Sequence, residues 1–194
     1  MIRHLVPDQT VGAVVDLDPA RLVAEGIRGL IVDLDDTLVC EAERAPTDPV
    51  CAWMAHAQEH LKVVILSNNS RRHRVAPVAT TLSVPFIHRA CKPLLLGFRR
   101  ALALLDLPAW EVAVVGDQVF TDVLGGRRLG ARTILVTPMT PQERKWHRKA
   151  MRGVERAVLR GTHAAGFQGA SAAIAPRAVP SDAERVQSNN HAAR

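Results

Sequence analysis

Residues 29–39 read Gly-Leu-Ile-Val-Asp-Leu-Asp-Asp-Thr-Leu-Val. Leu30, Ile31 and Val32 form an apolar run with no polar residue between them, which predicts a strand buried on both faces. Such strands form parallel sheets, and open parallel sheets bind their ligands at the carboxyl ends of the strands. Asp33 and Asp35 follow the run directly, so they fall where a binding site is expected.

The chain must turn after this strand, so Asp33 and Asp35 can face one crevice. Like charges held that close repel each other, and a bound divalent cation relieves the repulsion. Carboxylate oxygens are hard ligands of the kind that Mg²⁺ favours. Beside such a cation, one aspartate can attack an electrophile while the other transfers a proton. A solvated acidic turn is the alternative interpretation, because Asp-x-Asp is a common pattern.

The composition is that of a globular protein, since 47% of the 194 residues are hydrophobic. No apolar run approaches the roughly 18 residues of a membrane span. Pro7 and Asp8 interrupt the N-terminal apolar residues too early for a signal peptide. Cys40, Cys51 and Cys91 form no C-x-x-C motif, so we expect reduced thiols in a cytoplasmic protein.

Apolar runs alternate with helix signals along the chain. The predicted strands are 30–32, 62–66, 84–87, 112–115 and 133–136. The predicted helices are 19–25, 49–60, 71–83, 94–105 and a glycine-punctuated segment after residue 122, with residues 1–18 as a lead-in. This order predicts an α/β fold, in which a parallel sheet carries helices on both faces.

Polar side chains follow several of these strands, and parallel strands bring their carboxyl ends to one edge of the sheet. Ser67 and Asn68 follow the second strand, where a hydroxyl and amides can hold a phosphate oxygen, although plain turn chemistry also explains them. Lys92 follows the third strand. Asp117 and Asp122 follow the fourth, behind a glycine that we expect to permit a tight turn.

Four motifs therefore occur in order: Asp33-x-Asp35-x-Thr37, Ser67, Lys92-Pro93, and Gly116-Asp117-x-x-x-Thr121-Asp122. This set resembles the motifs of the haloacid dehalogenase superfamily of phosphotransferases, and the resemblance covers about residues 30–136. A receiver domain uses similar side chains. Its lysine lies on the last strand, however, whereas here the lysine precedes the second acidic cluster, so we reject that alternative.

The resemblance implies a role for each acidic residue. Asp33 would attack phosphorus and form an aspartyl-phosphate, and Asp35 would act as general acid and then as general base. Asp33, Asp117 and the backbone carbonyl of Asp35 would bind Mg²⁺, with Asp122 supporting the metal site. An aspartate at the second motif position favours phosphate esters over carbon–halogen substrates.

The same resemblance implies that the transferred phosphoryl group is bound by Thr37, Ser67, Asn68 and Lys92. Residues 38–48 and 68–91 leave no room for a cap domain. An uncapped crevice suits a large substrate, or a phosphate displayed on a surface.

A closer likeness, to the uncapped subclass IIIA branch, rests on segments outside the catalytic positions. They are Val6-Pro7-Asp8, Asp16-Leu17-Asp18-Pro19, Gly26-Ile27-Arg28-Gly29-Leu30, Ser67-Asn68-Asn69, Pro85-Phe86-Ile87 and Gly116-Asp117-Gln118. That branch includes phosphatidylglycerophosphate phosphatases, which makes phosphatidylglycerophosphate the leading substrate. A soluble phosphate ester, a phosphoprotein, or a nucleic-acid or ribosome-associated role remain the alternatives.

The C-terminal part of the chain has a different character. Residues 143–160 hold seven basic and two acidic residues, and an apolar stripe there predicts a helix. This helix either packs on the domain or lies on an anionic membrane at the inner face. We expect one domain over 1–162 and a disordered tail over 163–194.

Overall fold

A six-stranded sheet forms the centre of the protein in the computed structural model, which describes residues 2–140. The strands are β1 Gln9–Val11, β2 Gly29–Val32, β3 Lys62–Leu66, β4 Phe86–Ile87, β5 Val112–Gly116 and β6 Arg132–Val136. Their order across the sheet is β1-β6-β5-β2-β3-β4, and every neighbouring pair is parallel. The predicted α/β class with a parallel Rossmannoid sheet is therefore confirmed.

Five α-helices connect the strands in residues 2–140. They are α1 Pro19–Ala24, α2 Asp48–His60, α3 Arg72–Thr81, α4 Leu95–Leu105 and α5 Leu124–Leu129. The predicted start of α1 is confirmed, because Asp18 Oδ1 accepts a hydrogen bond from the backbone N–H of Ala20 at 2.9 Å and Pro19 occupies the first helical position. A π-helical turn, Val119–Val123, leads from β5 into α5.

The helices cover both faces of the sheet, as predicted. Successive strand residues point to opposite faces. Leu30 and Val32 belong to the core that receives side chains from α1, α2 and α3. Ile31 belongs to the other core, which α4 fills with Phe98 and its neighbours. Both faces are therefore dry, which explains why the strand sequences are continuously apolar.

The prediction that residues 1–18 form only a lead-in was wrong, because β1 adds a sixth strand beside β6. This strand has three residues and lies at the sheet edge, so it carries no apolar run. Long-range contacts hold it: the backbone N–H and hydroxyl of Thr133 donate to Asp8 Oδ2 at 2.9 and 3.0 Å. The same carboxylate pairs with Arg127 at 2.8 Å.

The central position of β2 creates the crevice. From β2 the chain proceeds outward through β3 and β4, and then returns to the other side as β5 and β6. Ligands of open α/β sheets bind at such a switch point, outside the carboxyl ends of the strands. Residues 33–47 hold turns and one isolated bridge, and residues 67–91 hold α3 and β4. No cap domain occurs within residues 2–140.

None of the helices within residues 2–140 has the length and apolar character needed to cross a membrane. The cysteines at positions 40, 51 and 91 are all free, which agrees with the prediction of reduced thiols. The basic segment 143–160 and the tail 163–194 lie outside the described residues, as does the domain boundary predicted between them.

Candidate active site

Asp33 lies immediately after β2, between the ends of β3 and β5. Its backbone N–H continues the sheet ladder by donating to the carbonyl of Val115 at 2.8 Å. Its side chain is buried. The strand-end argument therefore places this carboxylate correctly, at the carboxyl edge of the sheet.

A buried lysine joins two of the predicted acidic residues. Lys92 Nζ donates to Asp33 Oδ1 at 2.6 Å and to Asp122 Oδ1 at 2.7 Å. The Asn68 side chain holds the backbone of this lysine. Its Oδ1 accepts from the backbone N–H of Lys92, and its Nδ2 donates to the Lys92 carbonyl. Asn68 thereby supports the lysine, and its predicted contact with phosphate stays a prediction.

The charges of this cluster are mutually stabilised. Burial alone would lower the pKa of Lys92, but the carboxylates of Asp122 and Asp33 raise it above its ordinary value. The ammonium therefore stays charged inside the protein. Burial raises the pKa of Asp33 to about 6 against the opposing effect of Lys92, so this carboxylate is mainly ionised at neutral pH.

Asp117 has a different environment, because no cationic side chain within residues 4–140 compensates its burial. Its Oδ1 is buried without a hydrogen-bond partner in the part of the chain that the structure describes. Burial, together with the charges of Asp33 and Asp122, raises the pKa of Asp117 to about 9. An orphaned carboxylate oxygen of this kind calls for a bound proton or a cation.

Carboxylate oxygens of Asp33, Asp117 and Asp122 lie within 4.8 Å of one another, and all three residues are buried. A donor set made only of carboxylates fits a hard divalent cation. Asp117 has the free oxygen for it. Asp122 is already engaged, because its Oδ1 accepts from Lys92 and its Oδ2 from the backbone N–H of Gln118. The buried group can therefore hold a divalent metal ion, with Asp122 in a supporting position.

Gly116 is required by the close approach of Asp122, and not by its own backbone angles. A Cβ at this position would lie 2.3 Å from Cγ of Asp122, whereas positive φ among the glycines occurs at Gly26 and Gly130. We expected this glycine to permit a tight turn through its backbone freedom, and that reason was wrong. Any side chain at position 116 would displace the carboxylate that holds Lys92.

The two predicted hydroxyls are buried near the carboxyl edge. Ser67 Oγ accepts from the backbone N–H of Asn69 at 3.0 Å, which leaves its own proton for an incoming oxygen. Thr37 Oγ1 is buried without a partner among the described residues. Their predicted contacts with phosphate stay predictions.

Asp35 is held by a network that the sequence did not reveal. Arg74 on α3 donates from Nε to Asp35 Oδ1 at 3.2 Å, and its Nη2 forms an ion pair with the same oxygen at 3.1 Å. Asn69 donates to Oδ2 at 3.2 Å. Arg74 also donates to the backbone carbonyls of Cys40 and Glu43. The loop after β2 is thereby tied to α3, and the Asp35 carboxylate keeps one orientation.

Asp36, the third carboxylate of the loop, serves the structure of the loop itself. It is buried, has a left-handed backbone with φ of 59°, and accepts from the backbone N–H and the hydroxyl of Thr140. The Met139 N–H donates to the Asp36 carbonyl. The chain beyond β6 is thereby fastened to the loop that carries Asp33 and Asp35.

Comparison with known proteins identifies the family of the chain. A profile of the HAD-hydrolase-like family matches residues 90–150. The probable phosphatase YqeG of Bacillus subtilis (strain 168) is 37% identical over 166 residues, which cover 83% of this chain and 95% of that protein. The chain belongs to the haloacid dehalogenase superfamily. It is a phosphatase of that superfamily, with its motifs at the carboxyl edge of the sheet.

Two solved structures resemble this phosphatase. An uncharacterized protein from Listeria monocytogenes serotype 4b has a TM-score of 0.49 and 18% identity, covering 60% of this chain and 80% of that one. A haloacid dehalogenase-like family hydrolase from Xanthomonas campestris has a TM-score of 0.39 and 12% identity, covering 69% and 98% of the two chains.

Replacing Arg74 by Ala in this phosphatase should slow substrates that need a proton on the leaving group. Without Arg74, Asp35 loses its ion pair. We expect kcat/KM for β-glycerophosphate to fall about tenfold more than kcat/KM for p-nitrophenyl phosphate, whose phenolate leaves without a proton. Arg71→Ala, which removes an exposed arginine, is the control. Equal losses on both substrates would assign Arg74 a purely structural role.

Proposed function

We propose that this phosphatase hydrolyses a phosphate monoester through an aspartyl-phosphate on Asp33, with Mg²⁺ as cofactor. The observation that carries the proposal is the buried pairing of Lys92 with Asp33, beside the unpartnered carboxylate of Asp117. The uncapped crevice thus holds three groups close together. They are the nucleophile Asp33, the positive charge of Lys92 and a carboxylate oxygen of Asp117 that is free to bind a hard cation.

In the first step, an Asp33 carboxylate oxygen attacks phosphorus and the P–O bond to the alcohol breaks. Asp35 gives its proton to the departing alkoxide, so that a neutral alcohol leaves. In the second step, Asp35 takes a proton from water while the resulting hydroxide attacks the phosphorus of the aspartyl-phosphate. The bond to Asp33 breaks, inorganic phosphate is released, and both aspartates regain their initial states.

The other residues would bind and orient the phosphoryl group. Ser67 and Thr37 have hydroxyl protons to donate to its oxygens, and the Lys92 ammonium neutralises the charge that develops on them. Asp33, Asp117 and the Asp35 carbonyl would hold Mg²⁺, which would supply positive charge to offset the repulsion between a carboxylate and a phosphate dianion. Asp122 holds the Lys92 ammonium in contact with Asp33.

We propose phosphatidylglycerophosphate as the substrate. The resemblance to the uncapped subclass IIIA branch supports this choice, and so does the absence of a cap within residues 2–140, because a lipid head group anchored in a bilayer cannot be enclosed. We further propose that the phosphatase is cytoplasmic and that the basic segment 143–160 attracts it to the anionic inner face of the membrane. A soluble ester or a phosphoprotein is the second candidate, since an open crevice admits these as well.

A substrate panel tests the proposal. The purified full chain is assayed with phosphatidylglycerophosphate in mixed micelles, with sugar phosphates, with nucleotides and with a phosphopeptide, each with and without Mg²⁺. We expect Mg²⁺-dependent release of phosphate and a kcat/KM for the lipid at least about tenfold above that for every soluble ester. A higher value for a soluble ester or the phosphopeptide would replace the lipid by that substrate class.

A further inference from the structure

Large apolar side chains are exposed on α4, directly before it, and in the π-helical turn after β5. Leu94, Leu96, Leu104 and Phe120 are 58%, 72%, 54% and 60% exposed, more than any other large apolar side chain in residues 4–140. The helix packs on the sheet through its opposite side, where Phe98 is fully buried. The packing of α4 on the sheet therefore does not use these residues, and no packing within residues 4–140 explains why they are apolar.

Three of these side chains lie close in sequence to the buried pair of Lys92 and Asp122. Leu94 lies two residues after Lys92 and Phe120 two residues before Asp122, and the side chains of Lys92 and Asp122 are joined at 2.7 Å. Leu96 occupies the first turn of α4, four residues after Lys92. We call Leu94, Leu96 and Phe120 the apolar rim.

Positive charge accompanies the apolar rim. Arg99 and Arg100 are exposed, and they follow Leu96 by three and four residues, so they lie on the same face of α4. Arg89 is exposed in the loop that leads to Lys92. No residue of α4 is acidic. The surface beside the crevice therefore combines apolar and cationic groups without compensating carboxylates on the helix.

We propose that the apolar rim, together with Arg99 and Arg100, docks on an anionic phospholipid bilayer. The side chains of Leu and Phe enter the boundary between head groups and acyl chains, while the arginines extend to the lipid phosphates. The combination of exposed apolar side chains with uncompensated arginines is complementary to acyl chains below anionic head groups, which is why we choose a bilayer as the partner. This inference rests on the proposed lipid substrate and adds the protein surface through which the enzyme reaches that lipid in the bilayer.

The test compares the wild-type full chain with two double variants, Leu96→Gln/Phe120→Gln and Arg99→Gln/Arg100→Gln. Val23→Gln is the apolar control, because Val23 is 43% exposed on α1, whose core residue Leu22 packs on the opposite face of the sheet. Arg28→Gln is the charge control, because Arg28 is exposed directly before β2, at the amino ends of the strands and away from the crevice. Each protein is sedimented with phosphatidylcholine vesicles, with and without phosphatidylglycerol, at about 0.1 M salt.

We expect both double variants to bind the phosphatidylglycerol vesicles at least about tenfold more weakly than the wild type and both controls. Hydrolysis of phosphatidylglycerophosphate in vesicles should fall in parallel. Hydrolysis of p-nitrophenyl phosphate should stay within about twofold, because the replaced side chains are on the surface. Binding of the wild type to vesicles without phosphatidylglycerol should be weak.

Unchanged vesicle binding by both double variants would overturn the docking surface, and would assign any binding to another part of the chain. A loss of self-association in place of vesicle binding, seen by analytical ultracentrifugation, would overturn it in favour of a second copy. The proposed substrate fails separately, if the wild type binds anionic vesicles through the rim but hydrolyses no lipid in them. Turnover of lipid in micelles without vesicle binding would retain the substrate and overturn the docking.

Discussion

The Asp33→Asn variant is expected to lose hydrolysis of every phosphate ester by at least about 10³-fold. An amide is a poor nucleophile, and it cannot form the aspartyl-phosphate. The fold should be retained, because the amide oxygen can still accept the hydrogen bond that Lys92 Nζ makes with Asp33 Oδ1. Steady-state kinetics with p-nitrophenyl phosphate measure the loss, and thermal melting measures the fold.

A trapping experiment separates a lost nucleophile from a lost binding site. Beryllofluoride with Mg²⁺ should form an adduct, seen by ¹⁹F NMR, on the wild type and not on Asp33→Asn. Asp106→Asn is the matched control, because Asp106 is an exposed carboxylate at the end of α4. Normal turnover by Asp33→Asn would remove Asp33 from the nucleophilic role.

Asp117→Asn is expected to stabilise the metal-free protein at high pH while it weakens metal binding. Burial raises the pKa of Asp117 from 3.8 to about 9 in the folded, metal-free protein. Between these pH values the folded state binds more protons than the unfolded state. The free energy of unfolding should therefore fall as pH rises from about 4 to about 9 in EDTA. The Asn variant has no such charge to bury, so its melting temperature should depend less on pH and should exceed that of the wild type near pH 8.5.

The same variant should bind the cation more weakly, because it lacks an anionic ligand. We expect the Mg²⁺ concentration for half-maximal activity to rise at least about tenfold, or about 1.4 kcal/mol. Melting curves at pH 5 and 8.5 in EDTA, and Mg²⁺ titrations of activity, measure the two effects, with Asp106→Asn again as control. An unchanged titration would show that the metal does not use Asp117, whereas equal pH dependence in both proteins would show that its charge is not the destabilising one.

Rules that use only short stretches of sequence were sufficient to predict the centre of the fold. The apolar run of residues 30–32 predicted β2, and the rule for strand ends brought Asp33 and Asp117 to one crevice. These inferences succeed because a strand buried on both faces has few sequence alternatives. The edge strand β1 was missed, because its pairing depends on contacts between Asp8 and Thr133 that local sequence does not encode.

The residues that support the site were harder to predict. Arginines occur at positions 71, 72 and 74, and sequence alone cannot tell which of them reaches Asp35. Only Arg74 among these three donates to that carboxylate in the structure. Asn68 was predicted to bind phosphate, and in the structure its side chain binds the Lys92 backbone. Such roles depend on the exact approach of separate segments, which motif spacing does not specify.

The central position of β2 has a consequence for how activity is acquired during folding. Val32 pairs with Ile65 on one side and with Val115 on the other, so the catalytic edge closes only after two pairings of high sequence separation. Contacts of this kind form slowly compared with helices. During synthesis, β5 leaves the ribosome later than β2. Until then Asp33 and Asp35 are exposed, and Lys92 and Asp117 are not yet arranged around them. Recovery of activity on refolding should therefore follow the completion of the sheet, and should lag behind the appearance of helical structure.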